Sequence, residues 1–235
     1  MNINEYCHIE DSRLSFSREQ ASKFAKKVAG DFNPIHDADS KRFCVPGDLL
    51  FTAVLHHYGV RQRMIFNFSG MVNDDTQLIL PDCDKEHMAL LDDREKKYLA
   101  IECNGNSSDD ADLIHALTSR YVEFSSRAFP EILEPLMKEH DVMINPQRPL
   151  IIYESMSFEL DTFEINNLHL ELHGQKLQVN GKRGDVTIDY DLMDGDKVVG
   201  RGCKRMVLSA LRQYDKTAMD ALVAGYTERR EAFKG

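Results

Sequence analysis

The stretch LLFTAVLHHYG, residues 49–59, leaves few folds open. It comes after Pro46-Gly47-Asp48, a run that opens a helix, and it stops at Gly59. For two turns nearly every side chain is apolar, whichever way it points. A helix with one wet face carries a polar stripe, whereas a helix apolar all round must be covered on every side. The rest of the chain therefore has to wrap it, and the residues beyond Gly59 are rich in strand signals. MIFNFSGMV and TQLIL are Phe- and Ile-rich and bounded by Asn, Asp and Pro, and KKYLAIEC is a third candidate. From Leu150 the texture is strands joined by turns such as Asp194-Gly195: LIIYESMSFEL, LHLELHG, KLQVNG, GDVTIDYDL and KVVGRGCKRMVLS. Of these, VTIDYDL alternates as a sheet with one wet face should.

Helices punctuate the strands. Ser17 with Gln20 three residues on is a capping-box start, Phe24, Ala25 and Val28 share one side, and Gly30 ends that helix. NGNSSDDAD reads as a loop in which Asp109 to Asp112 cap the next helix. In that helix Leu113, Leu117, Tyr121 and Phe124 repeat at helical spacing, PEILEPLMKEH continues with its own Pro start and kink, and NPQRP ends the block. The tail 216–233 carries Met219, Leu222, Val223 and Tyr226 on one stripe, the pattern of a packed closing helix.

With 235 residues, 42% of them hydrophobic, the chain can build one large core or two small ones. A formal charge of -10 argues against a general nucleic-acid binder, which needs a basic face. Cys7, Cys44, Cys83, Cys103 and Cys203 are odd in number, far apart and without a C-x-x-C pair, so reduced thiols are expected and neither a disulfide framework nor a zinc site. No basic-then-apolar leader and no long apolar run is present, and the expectation is a soluble, cytoplasmic protein without a membrane partner.

Between the first helix and the buried one lies VAGDFNPIHDAD, residues 28–39. Taken residue by residue it is either a helix stop, in which Asp31 and Asn33 accept backbone N–H bonds and Pro34 breaks the helix, or a carboxylate and an imidazole fixed in one bend. Asp31, Asn33, Pro34, Ile35 and His36 satisfy the pattern D-x-N-P-aliphatic-H, and the turn resembles the hydratase motif of MaoC-like hot-dog proteins, the R-specific 2-enoyl-CoA hydratases. VPGDLL resembles the start of that family's long central helix, and YESMSFELDTF one of its strands. The resemblance covers residues 14–64 and 149–210. The whole chain also resembles an uncharacterised proteobacterial family of unknown function.

The resemblance implies hydration of a trans-2-enoyl thioester, with coenzyme A or an acyl carrier as the thiol and no cofactor or metal. Asp31 would orient and deprotonate a water and His36 would share the proton transfer. The thioester oxygen would lie against backbone N–H groups near Gly47, with Asn33 and Thr52 in the same substrate-binding set. The chain departs from the pattern at Pro46, where the family has His, at Asp48, where it has Met, and at Leu55, where it has a serine-type residue. A carboxylate at Asp48 suits a helix start but not a developing oxyanion; it is read as a helix cap or as a ligand-excluding group.

Lys182 and Arg183, in the Gly-bounded turn NGKRGDVT, are either a solvated hairpin tip or a contact for coenzyme A phosphates, with Arg201, Lys204 and Arg205 as substitutes. His56 and His57 lie in the apolar helix, where a hydrogen-bonded core histidine is the expectation. MINPQRP repeats Asn-Pro without a His and is not read as a second site.

The class expected is α+β with a mainly antiparallel sheet. Helix then strands, twice over, suggests a double hot dog: residues 1–110 with the DFNPIH turn, residues 111–211, and a closing helix 212–235. The alternative is a single hot dog carrying an insertion, 65–148, that homodimerises to complete its site. For function, the hydratase stands beside a non-catalytic hot-dog module that binds an acyl thioester or a protein, the reading that Pro46, Asp48 and Leu55 favour. An acyl thioesterase is a third reading.

Overall fold

The computed structural model describes residues 1–82 and 86–234. A short hairpin, β1 (His8–Glu10) and β2 (Arg13–Ser15), leads into α1 (Arg18–Phe24), which the Ser17–Gln20 capping box opens. Next come the helix α2 (Gly47–Tyr58) and the strands β3 (Val60–Phe68), β4 (Leu78–Ile79), β5 (His87–Leu91) and β6 (Lys97–Ser108). The helical block comprises α3 (Ala111–Ser126), whose N-cap is Asp110, and α4 (Leu133–Glu139). After β7 (Val142–Met143) come β8 (Ile151–Leu160), β9 (Leu168–Asn180), β10 (Arg183–Asp194) and β11 (Lys197–Ser209). Then β12 (Arg212–Gln213) pairs with β7, and α5 (Lys216–Lys234) closes the chain.

The expected α+β class with an antiparallel sheet is what the chain forms. Ten strands make one sheet in the order β1-β2-β4-β5-β6-β3-β8-β11-β10-β9, and every pairing is antiparallel. Next to its middle β3 pairs with β8, where Met64 faces Phe158 and Phe66 faces Met156, all four buried. The wrapping demanded by the apolar helix is complete: Asp48 to Leu55 are buried without interruption. Phe51 is the hub, with ring centroids 5.1 Å from Phe66 and 4.7 Å from Tyr121 of α3. Burying side chains of this size contributes roughly 1.5–3 kcal/mol apiece. On β10 the alternation holds, with Val186, Ile188, Tyr190 and Leu192 inward.

Two expectations need correcting. NGNSS is not loop: β6 runs through it to Ser108, because Asn104, Ser107 and Ser108 pair with β3 across a bulge. Gly105, at φ 80°, permits that bulge, and a Cβ there would come within 2.8 Å of the Gln62 side chain. LHLELHG and KLQVNG are one strand, interrupted only by a register shift opposite Asp189 and Tyr190. The strands β1 and β2, three residues each, and β5, with Met88 and Leu90 buried, had no reading at all.

No helix among the described residues is long and apolar enough to cross a membrane. Cys83 lies outside the described residues. Of the other cysteines, Cys7 and Cys103 are buried and Cys44 and Cys203 half-buried.

Candidate active site

The turn after α1 is built by its own polar groups. The chain continues through a wider turn, Ala25–Ala29, and reverses at Gly30, whose φ of 61° is left-handed. Asp31 Oδ1 then accepts from the Asn33 N–H at 2.8 Å, and Asn33 Oδ1 accepts from the Ile35 N–H at 3.2 Å. Pro34 starts a single 3-10 turn that carries His36. His36 Nδ1 lies 2.6 Å from the Cys44 carbonyl oxygen, which can only accept, so in the neutral ring Nδ1 carries the proton. Its Nε2 is left with a lone pair directed at the one Asp31 oxygen the turn does not use, Oδ2, 3.6 Å away. That separation is too long for a direct hydrogen bond. Two acceptors face each other across a gap that a water, with two protons to give, would satisfy.

Both groups open on a cavity of about 990 Å³ that also reaches the start of α2, the end of α3, Tyr153 of β8 and Tyr226 of α5. Tyr226 ties the closing helix to the turn: its hydroxyl accepts from the Phe32 N–H at 3.3 Å and donates to the Gly30 carbonyl at 3.2 Å. Asp37 is held by Lys26 at 2.7 Å and by Arg229 of α5 at 3.7 Å.

Beside the dyad lies a buried polar cluster assembled from four elements. Asp48 of α2, Ser125 of α3 and Lys204 of β11 are 4%, 3% and 1% exposed. Ser125 Oγ donates to Asp48 Oδ2 at 2.6 Å, and the Tyr153 hydroxyl lies 3.3 Å from the same oxygen. Lys204 Nζ donates to Ser125 Oγ, stands 3.9 Å from Asp48 Oδ1 and sits 3.6 Å above the Tyr153 ring. Asp48 Oδ1 has no hydrogen-bond partner. Burial drives both ions toward their neutral forms: desolvation raises the Asp48 carboxyl, with Lys204 opposing, and lowers the Lys204 ammonium to about 8, with Asp48 and Asp31 opposing. The charge of Asp31 is felt at Asp48, Tyr153 and Lys204, so the dyad and the cluster share one electrostatic environment.

The residues expected at the site divide. Asp31, Asn33, His36 and Gly47 line the cavity, with the Asn33 side-chain oxygen spent on the turn itself. Gly47 is small for a reason other than ligand approach: a Cβ there would stand 2.8 Å from the Tyr153 ring, which lies across the helix start. Thr52 is fully buried and donates to the Asp48 carbonyl one turn back, so it faces its own helix and not the cavity. Lys182 borders a separate depression near Leu211, and Arg183 is paired with Asp185 and Glu154; neither reaches the cavity. Asp48 does not cap α2, whose N-cap is Pro46 with no side-chain bond; it is recruited into the cluster instead. The His56 side chain is not hydrogen-bonded as expected, since its buried Nε2 has no partner. Among the described residues no group of three or more His, Cys, Asp or Glu is placed to hold a metal ion.

Ser125 and Tyr153 were missed, and Lys204 was read only as a substitute phosphate contact. Lys204 had a signal: it alternates with Met206 and Leu208 on the inward face of β11. Ser125 falls one turn after Tyr121 on the apolar stripe of α3.

A family model described as "Protein of unknown function (DUF3581)" matches residues 1–217. The chain belongs to that family. Among curated proteins none matches. The fold is similar to that of an acyl-CoA thioesterase II, TesB2, from Mycobacterium marinum, at TM-score 0.45 and 10% identity over 92% of this chain and 99% of that one. A tesB protein of Mycobacterium avium subs paratuberculosis gives TM-score 0.44 and 7% identity over 72% and 89%. An acyl-ACP thioesterase from Bacteroides thetaiotaomicron gives 0.35 and 11% over 71% and 92%. These are loose likenesses.

Proposed function

We propose that the chain binds an acyl thioester in this cavity and delivers to it a water activated between Asp31 and His36, the reaction being hydrolysis. The observation that carries the reading is the pair of facing acceptors, His36 Nε2 and Asp31 Oδ2, 3.6 Å apart on the wall of a cavity of about 990 Å³. With Nδ1 donating to the Cys44 carbonyl, Nε2 is the nitrogen left to take a proton from that water. In hydrolysis that base takes the water proton and the thiolate leaves without being protonated first. Hydration of an enoyl thioester needs the proton returned to carbon as well. It is the second reading, favoured by the complete D-x-N-P-aliphatic-H turn.

On the thiol side, Lys41, Arg42 and Arg148 line the cavity, are exposed and have no ion-pair partner among the described residues. They replace Lys182 and Arg183 as the contacts for the phosphates of coenzyme A or phosphopantetheine. We read the architecture as two hot-dog halves, 1–110 and 111–211, with residues 212–235 closing the cavity. Support for it is that α2 precedes β3 to β6 and α3 precedes β8 to β11, the two sets meeting at β3 and β8.

The test presents saturated and trans-2-enoyl coenzyme A thioesters of several chain lengths to wild type and His36→Gln. Thiol release lost in the variant supports hydrolysis. Loss of enoyl absorbance without thiol release supports hydration. Neither change, at any length, overturns the enzymatic reading in favour of a binding module.

A further inference from the structure

We propose that Ser125 is a nucleophile of this cavity, taking the acyl group as an ester by passing its proton to Asp48 while Lys204 holds the reacting oxygen. The step rests on the thioester reading of the cavity and adds a covalent stage to it.

Ser125 lines the same cavity as Asp31 and His36, whereas Lys204 is not among the lining residues and approaches Oγ from behind. The 2.6 Å bond from Oγ to Asp48 Oδ2 is in the range of hydroxyl–carboxylate bonds, roughly 2.5–2.7 Å, and already points the proton at its acceptor. Ser125 occupies the last turn of α3, where the helix dipole is negative and opposes charge on an emerging alkoxide. The Lys204 ammonium donates to that same oxygen and offsets both the dipole and the carboxylate. A purely structural link between α2, α3 and β11 has no need of buried ions, since well-packed apolar residues serve as well or better. The start of α2 lacks a side-chain cap, which leaves the Gly47 and Asp48 N–H groups for an acyl oxygen.

The chemistry balances without a further reactant. As Oγ adds to the thioester carbonyl carbon, its proton moves to Asp48 Oδ2. The O–C bond forms, the C–S bond breaks, and the thiolate leaves and recovers the proton from Asp48. The water between Asp31 and His36 then adds to the ester, the acid departs, and Ser125 regains a proton from that water.

The experiment uses the full chain, a fluorophosphonate and decanoyl-coenzyme A. Peptide mapping by mass spectrometry after fluorophosphonate treatment is expected to find the phosphonyl group on Ser125 in wild type, with labelling lost in Asp48→Asn. Quenching the Asp31→Asn variant during turnover is expected to trap a decanoyl ester on Ser125, and Ser125→Ala is expected to release thiol no faster than a protein-free control. No label on Ser125 in the wild-type protein overturns the proposal, and that result needs no folded variant. Thiol release undiminished in Ser125→Ala, with no trapped ester, also overturns it while leaving the thioester reading intact. A labelled Ser125 in a protein that releases no thiol from any thioester overturns the thioester reading and keeps the nucleophile.

Discussion

Replacing Lys204 by Met tests whether the buried pair behaves as the geometry requires. The ammonium is 1% exposed, donates to Ser125 and stands 3.9 Å from Asp48 Oδ1, which has no hydrogen bond of its own. Methionine fills the same volume and removes the charge, so a carboxylate is left in an apolar interior. Removing one partner of a buried pair costs roughly 3–5 kcal/mol. For a chain of 235 residues that corresponds to a melting temperature lower by about 6–20 °C. The loss depends on pH, with a sign set by Asp48. Its folded-state carboxyl is already raised by burial, and without Lys204 it rises further. A carboxyl with a raised folded pKa is most stable protonated, so stability falls as pH rises from the ordinary carboxylate value through the folded one, by at most about 1.4 kcal/mol per pH unit. The variant is therefore expected to melt close to wild type near pH 4 and below it at pH 7, where Lys204 is still mostly charged, and the double variant Asp48→Asn/Lys204→Met to recover most of the difference at pH 7. Circular-dichroism melts across that range measure all three proteins. A single variant within about 2 °C of wild type at pH 7, or a double variant no more stable than the single, would refute the reasoning.

Other outcomes rest on the same structure. In wild type the Lys204 ammonium, lowered to about 8 from 10.5, is released by the folded chain before the unfolded one, so the wild-type stability curve should gain on that of Lys204→Met as pH rises between those values. Urea titrations at pH 8 and 10 measure the gain, and parallel curves would contradict it. Gly47→Ala puts a methyl 2.8 Å from the Tyr153 ring and is expected to destabilise by roughly 1–3 kcal/mol, with a changed near-ultraviolet tyrosine spectrum. Tyr226→Phe removes the two bonds between α5 and the turn, and faster hydrogen exchange at the Phe32 amide is the expected readout.

How much of this was legible depends on whether a feature is local. The burial of α2 could be read because an all-apolar helix has one physical outcome, and the turn at Asp31 because Asn33 and Pro34 write its bonds into adjacent positions. The polar end of β6 could not, since only its pairing with β3 and the φ of Gly105 make NGNSS a strand. The dyad was legible for the same reason as its turn. Asp48 was misjudged because a carboxylate in a first helical turn is ordinarily a cap or dipole partner; its true partners lie 77 and 105 residues away, at Ser125 and Tyr153. Arg183 pairs with Asp185, two residues on, and with Glu154 of β8. The hairpin of Lys182 and Arg183 looks solvated and is, but the cations that line the cavity are contributed by Lys41, Arg42, Arg148 and Arg229.

The measurement that bears most directly on the account is thiol release from saturated acyl-coenzyme A thioesters by purified wild type beside Asp31→Asn. Asparagine keeps the size of the side chain and an acceptor for the Asn33 N–H, and removes the charge proposed to orient the water. The account predicts release by wild type and a rate about 10²–10⁴-fold lower in the variant, at unchanged melting temperature. Equal rates in the two proteins would contradict it.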